Sequence, residues 1–277
     1  MENNYGMNGQ IFFKYLNMVT NYLERNYGDK LISIILFGSL IDEDERIIIS
    51  SDVDLIIITN DSSSLNDFQT MKQSLFKLEN NFLSHLRIRE SAFIRGLQRA
   101  TGMFCNFFIC RVSDFKDRNF TKVFNINSIM GGFLAPQNSV WLSLLRQHRI
   151  IWGEDVFKEW KTLPRITRCD LIQSFLMNSL LAIGALFLFP FHSQIAKFSM
   201  EAMKWSLFTW RNFSNLSLLT LAQICTEFAE AASIMELRAL HSFMEYRKNK
   251  TSGNYFALLA LIFVFLIHRS LLRHSYG

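Results

Sequence analysis

The stretch "IILFGSLIDEDERIIISSDVDLIII", residues 34–58, holds two apolar runs, Ile34–Phe37 and Leu55–Ile58, of strand-like content. A Gly38-Ser39 pair closes the first run, and Asp52-Val53-Asp54 opens the second. Alternate residues of a strand share a face. At the start of a strand over 53–59, Asp52 and Asp54 therefore send two carboxylates to one side. Buried together without a counter-charge, one of them would have to take up a proton. A divalent cation removes that conflict, and hard oxygen ligands favour Mg²⁺ or Mn²⁺.

Gly38-Ser39 supplies the other half of the pattern. A small residue at the end of a strand lets backbone N–H groups come close to phosphate oxygens, and the Ser39 hydroxyl adds a donor. A triphosphate held there presents its oxygens to metal on Asp52 and Asp54, which suits an in-line transfer with pyrophosphate leaving. The plainer reading makes Gly38-Ser39 an ordinary tight turn and Asp52 a strand cap. It leaves Asp54, flanked by Val53 and Leu55, without a purpose.

Gly38-Ser39, twelve intervening residues, then Asp52-Val53-Asp54 in apolar surroundings resembles the signature of the DNA polymerase β-type nucleotidyltransferase superfamily. The likeness is to its minimal and antibiotic-modifying members. "RIIWGED" (149–155) is similar to the element that often closes their catalytic domain, so the resemblance covers residues 10–157. It implies an α+β fold with a mixed sheet flanked by helices. It also implies transfer of a nucleoside monophosphate from a Mg-NTP to a hydroxyl-bearing acceptor, with Gly38 and Ser39 binding nucleotide and Asp52 and Asp54 holding metal and carrying catalysis.

The resemblance leads to a third carboxylate on the next strand, serving the incoming nucleophile. Here that strand, "MFCNFFIC" (103–110), offers only Asn106. Asn has an acceptor oxygen but takes up no proton and holds a divalent ion weakly. Glu90, at the end of "LRIRE" (86–90), and Asp114 are the other candidates. Asn106 also motivates a second reading, a regulatory or toxin–antitoxin component that binds nucleotide without robust turnover.

Outward from this stretch, the chain has 277 residues, 49% hydrophobic and 19% charged, with 27 Phe and 3 Pro, enough for one large or two ordinary domains with a sizeable core. A formal charge of +5 permits a polyanionic partner without requiring one. Cys105, Cys110, Cys169 and Cys225 form no CxxC pair or zinc spacing and read as reduced thiols of a cytoplasmic protein. "MENNYGMNGQ" lacks a signal-peptide layout. The apolar runs 180–191 and 255–267 fall short of the roughly 20 residues of a bilayer span and read as buried core helices. A homodimer is left open.

Periodicity predicts helices over 10–27 and 65–85, strands over 31–37, 46–49, 53–59 and 102–112, and then helices over 168–189, 193–212, 216–233, 235–248 and 254–273. The domains are thus expected at 1–157 and, as an all-helical bundle, 158–277. Arg87, Arg89, Arg95, Arg99, Arg111, Lys116 and Arg118 read as a solvated face ahead of a polyanion patch. Arg269, His274 and Tyr276 form Arg-x4-His-x-Tyr, which resembles the motif of HEPN ribonucleases but equally describes a basic helix C-terminus. Glu201 and Lys204 are further candidates for substrate contact.

Overall fold

The computed structural model describes residues 7–38, 41, 53–83, 106–160, 162–188, 195–214, 220–249 and 255–275. The expected strands at 46–49 and 86–90 lie outside them. The chain divides into two compact units, 1–127 with 147–162, and 128–146 with 163–277.

In the first unit, helix α1 (Met7–Tyr27) buries Phe12, Tyr15, Leu16, Val19 and Leu23, which recur at three- and four-residue steps. Strand β1 (Leu31–Phe37) follows, then β2 (Asp54–Thr59). Ser64 and Asp67 cap helix α2 (Leu65–Leu83) reciprocally: the Ser64 N–H donates to the Asp67 carboxylate at 2.8 Å, and the Asp67 N–H donates to Ser64 Oγ at 3.1 Å. These bonds, aided by Lys30, hold the Asp67 pKa at about 2. Strand β3 (Phe107–Arg111) leads into the short helices α3 (Val112–Lys116) and α4 (Phe120–Val123).

Helices α5 (Ser128–Phe133) and α6 (Gln137–Arg146) belong to the second unit, although the sequence reading sets them ahead of its boundary. The chain then returns to the first unit as strand β4 (His148–Gly153).

The sheet order is β3-β2-β1-β4, with β1 antiparallel to both β2 and β4, and β2 parallel to β3. It is therefore mixed. Ile34, Leu36, Leu55, Ile57 and Phe107 face α1 and α2 and share one core with Tyr15, Val19, Met71 and Leu75. Each fully buried residue of this size contributes about 1.5–3 kcal/mol. The opposite face carries a chain of ring contacts, Phe37 to Phe108 at 5.8 Å and Phe108 to Phe124 at 5.2 Å. With both faces covered, β2 reads as an unbroken apolar run.

The second unit continues with helices α7 (Arg168–Leu188), α8 (Ala196–Phe213), α9 (Leu221–Ala231), α10 (Ile234–Asn249) and α11 (Phe256–His274). Its core gathers Met203, Leu207, Ile224, Phe228, Phe243 and Phe263. A Thr220/Gln223 capping box starts α9. Asp170 is buried and accepts from the backbone and side chains of both Asn138 and Thr167, tying α6 to the start of α7. The fold is thus the expected α+β sheet flanked by helices, followed by a helical C-terminal part.

Helices α7 and α11, of 21 and 19 residues, are longer than their apolar runs suggest. By length and composition both suffice to cross a membrane, a test that the core helix of a soluble protein passes equally. Cys110 and Cys225 are buried and Cys169 is exposed, all free. Burial pushes the Cys225 thiol up to about 12.

Candidate active site

The site is built where β1 ends and β2 begins. Antiparallel pairing sets Phe37 opposite Asp54. Directly paired residues share a face, so the Asp54 side chain lies on the side of Phe37 and Phe108, away from the α1/α2 core. Gly38 follows at once, with φ of +84°, the left-handed region that glycine adopts without strain. A Cβ on Gly38 would stand 2.6 Å from Asp54 Oδ2 and 3.5 Å from Asp54 Cγ. The carboxylate thus sits directly over bare backbone, which only a residue without a side chain permits.

This is a cradle that fits an anionic ligand carried by a cation. Asp54 supplies a hard oxygen donor, and the missing side chain at Gly38 is what lets that carboxylate lie against the backbone. Among the described residues no three His, Cys, Asp or Glu side chains converge as a metal-binding group. Asp52 and Ser39, expected to complete the site, lie outside the described residues, as does Glu90.

Asn106 immediately precedes β3, and its carbonyl accepts from the Leu55 N–H at 2.8 Å, one residue from Asp54. This is the place at which the resemblance leads to a third carboxylate. The Asn106 amide is instead buried and donates to Glu79 Oε1 on α2 at 2.5 Å, while its own Oδ1 is buried with no hydrogen-bond partner among the described residues. Glu79 went unread in the sequence, within the polar run "KLENN". The signal was there, because Glu79 follows Met71 and Leu75 at four-residue steps on the buried face.

Asp114 is not the missing acid. Strands β2 and β3 run parallel from Leu55–Phe107 to Thr59–Arg111, so β3 ends beside Thr59, about 16 Å along the strand from Asp54 at 3.3 Å per residue, and Asp114 follows in the helix after that end. There it pairs with Lys122 at 2.8 Å. The basic residues beside it serve the same end. Arg111 donates twice to the Ser63 carbonyl, Lys116 pairs with Glu159 at 2.8 Å, and Arg118 stacks 4.4 Å over Trp160 and donates to the Thr162 carbonyl. Arg87, Arg89, Arg95 and Arg99 lie outside the described residues.

In the second unit, Glu201 and Lys204 bind each other at 2.5 Å, largely buried. The exposed His274 donates from Nδ1 to the Ser270 carbonyl of its own helix at 2.8 Å, and Arg269 is exposed nearby. Tyr276 lies outside the described residues. His268 is the buried histidine of this helix: Nδ1 donates to the Val264 carbonyl at 2.9 Å, and Nε2 lies 3.0 Å from Ser174 Oγ. Burial lowers its pKa to about 4, so the ring is neutral near pH 7.

No family model and no curated protein matches the chain. Among solved structures it is similar to the spectinomycin adenyltransferase AAD(9) from Enterococcus faecialis, crystallised with ATP and spectinomycin. The TM-score is 0.56 at 10% identity, over 94% of this chain and 98% of that one. The likeness is one of fold.

Proposed function

We propose that this chain is a nucleotidyltransferase, moving a nucleoside monophosphate from a Mg-NTP to a hydroxyl-bearing acceptor. The carrying observation is the Asp54 carboxylate poised over Gly38 at the junction of β1 and β2. A carboxylate beside side-chain-free backbone at a strand end suits a metal-chelated triphosphate, the carboxylate as metal ligand and the backbone as anion contact. The fold shared with an adenyltransferase crystallised with ATP and a small molecule supports the same reading.

When bound, Mg²⁺ supplies neutralisation of phosphate charge. Asp54 would hold it, with Asp52 as its expected second ligand. Gly38, and with it the expected Ser39, would lie against the phosphates. Asn106 takes up no proton, so the acceptor hydroxyl loses its proton without a protein base at that place. General-base assistance contributes typically 10²–10⁴-fold, so transfer is expected to be slow.

A second reading is favoured by one observation, the bond that ties Asn106 to Glu79. On that reading the site retains nucleotide and releases no product, and the chain acts as a nucleotide-dependent regulator. One experiment separates the two. Each NTP labelled at the α-phosphate is incubated with Mg²⁺ and a broad set of hydroxyl acceptors, spectinomycin and RNA included, using Asp54→Asn as control. Pyrophosphate release that disappears in the variant supports transfer. Saturable binding without release supports the regulator. Equal release by both proteins removes the site.

A further inference from the structure

The second unit carries an exposed apolar stripe that neither functional reading uses. Along α7, Ile172, Leu176, Leu180, Ile183 and Phe187 follow one another at steps of four, four, three and four, and all are exposed. Leu180 is 55% exposed and Phe187 72%. Beside them Phe265 of α11, 51% exposed, reaches the α7 ring of Phe175 at 6.4 Å. Such spacing is the seam of one helix against another, here with no described partner helix.

We infer that this stripe is the homodimer interface, with α7 of one copy packed antiparallel on α7 of a second. Two observations select a second copy. The first is area. At roughly 180 Å² per large apolar residue, the exposed parts of these six side chains come to about 500 Å². A standard interface buries about 800 Å² per partner, of which about 65% is apolar in homodimers, so the stripe alone meets that need.

The second is charge. Residues 171–188 of α7 and 256–267 of α11 contain no charged side chain, so two copies of a chain carrying +5 can meet here without burying like charges. At one end, Arg168 donates to the Ser275 carbonyl at 3.0 Å, which sets the start of α7 beside the end of α11 and gathers Arg168, Arg269 and Arg273 there. Parallel packing would bring the two arginine clusters together. Antiparallel packing about Leu180 holds the two Arg168 residues about 36 Å apart, well beyond the screening length.

The inference is independent of the nucleotide site. Its test is the mass of the full chain in solution, measured by light scattering on a sizing column across concentration. Wild type is expected to run as a dimer, and Leu180→Glu/Ile183→Glu as a monomer with unchanged far-UV circular dichroism. In a Cys169→Ser background, Leu180→Cys, near the twofold axis, should cross-link two chains under mild oxidation. Phe187→Cys, about 21 Å from its mate in this geometry, should not. This second measurement stands even where the charged variant fails to fold. A wild type that stays monomeric up to about 100 μM, or a charged variant that folds and remains dimeric, overturns the interface. So does efficient Phe187→Cys cross-linking without Leu180→Cys cross-linking. A monomer that sediments with phosphatidylglycerol vesicles, and loses that binding in Leu180→Glu, assigns the stripe to a lipid surface and overturns it as well.

Discussion

Asp54 Oδ2 lies 2.6 Å from the point where a Cβ on Gly38 would stand, and Gly38 itself holds φ at +84°. Two separate demands therefore fall on one residue, a left-handed backbone and an empty side-chain position. Either alone selects glycine. Together they fix the Asp54 carboxylate against the chain as it leaves β1.

Gly38→Ala tests that relationship. The left-handed conformation costs a non-glycine residue about 1–2 kcal/mol, and the new methyl must displace the carboxylate. Thermal melts are expected to show that loss of stability. Mg-dependent nucleotide binding should fall at least tenfold, out of proportion to a change of a few degrees in Tm. A variant that binds as wild type does would separate Gly38 from the site.

The Glu79–Asn106 bond predicts a pH signature. In Asn106→Asp a carboxylate would stand 2.5 Å from Glu79 Oε1, and the pair would have to share a proton when folded. Its folded pKa is raised, so its stability is present at low pH and lost as pH rises through that value. Denaturant unfolding at pH 5 and pH 8 should show the variant destabilised chiefly at pH 8, by about 2 kcal/mol or more. Adding Glu79→Gln gives an amide facing a carboxylate and should restore stability. The double variant is also expected to release pyrophosphate faster than wild type, because a proton acceptor then stands at 106. An Asn106→Asp protein as stable as wild type at pH 8 would contradict the pairing.

Most of the framework was legible because apolar content and helical period speak for themselves in buried elements. "LISIILF" becomes β1 at the expected bounds, and the five long C-terminal helices appear within a few residues of their predicted ends. β4 was not foreseen as a strand: "RIIWGED" reads only as the element that closes the catalytic domain. As an edge strand with mostly half-exposed residues it shows neither an unbroken apolar run nor clean alternation. The partition of the units was hidden for a topological reason. The chain leaves the first unit for α5 and α6 and returns as β4, and no local composition marks such a detour. The juxtaposition of Gly38 and Asp54 follows from the pairing of two strands that were both legible. The grip of Glu79 on Asn106 was not, because a glutamate in a polar run reads as solvated until its four-residue step from Leu75 is noticed.

His268 gives a prediction about acid stability. Its pKa falls from an ordinary 6.5 to about 4 on folding, through burial between Val264 and Ser174. The unfolded chain therefore takes up a proton first. Stability is intact above about pH 6.5 and declines as pH falls towards 4, by about 3 kcal/mol in all. His268→Gln should flatten this part of the profile in melts taken from pH 7 to pH 4.5. Parallel profiles for the two proteins would show that this ring does not govern it.

The most direct test of the account is calorimetric titration of a non-hydrolysable NTP in Mg²⁺ into wild type and Asp54→Asn. Asp54 is half-buried, with its carboxylate held against the backbone of Gly38. The account predicts saturable, Mg²⁺-dependent binding by wild type, weakened at least tenfold in Asp54→Asn while the melting temperature holds within a few degrees. Binding of equal strength by both proteins, or no binding by wild type at any Mg²⁺ concentration, would contradict it.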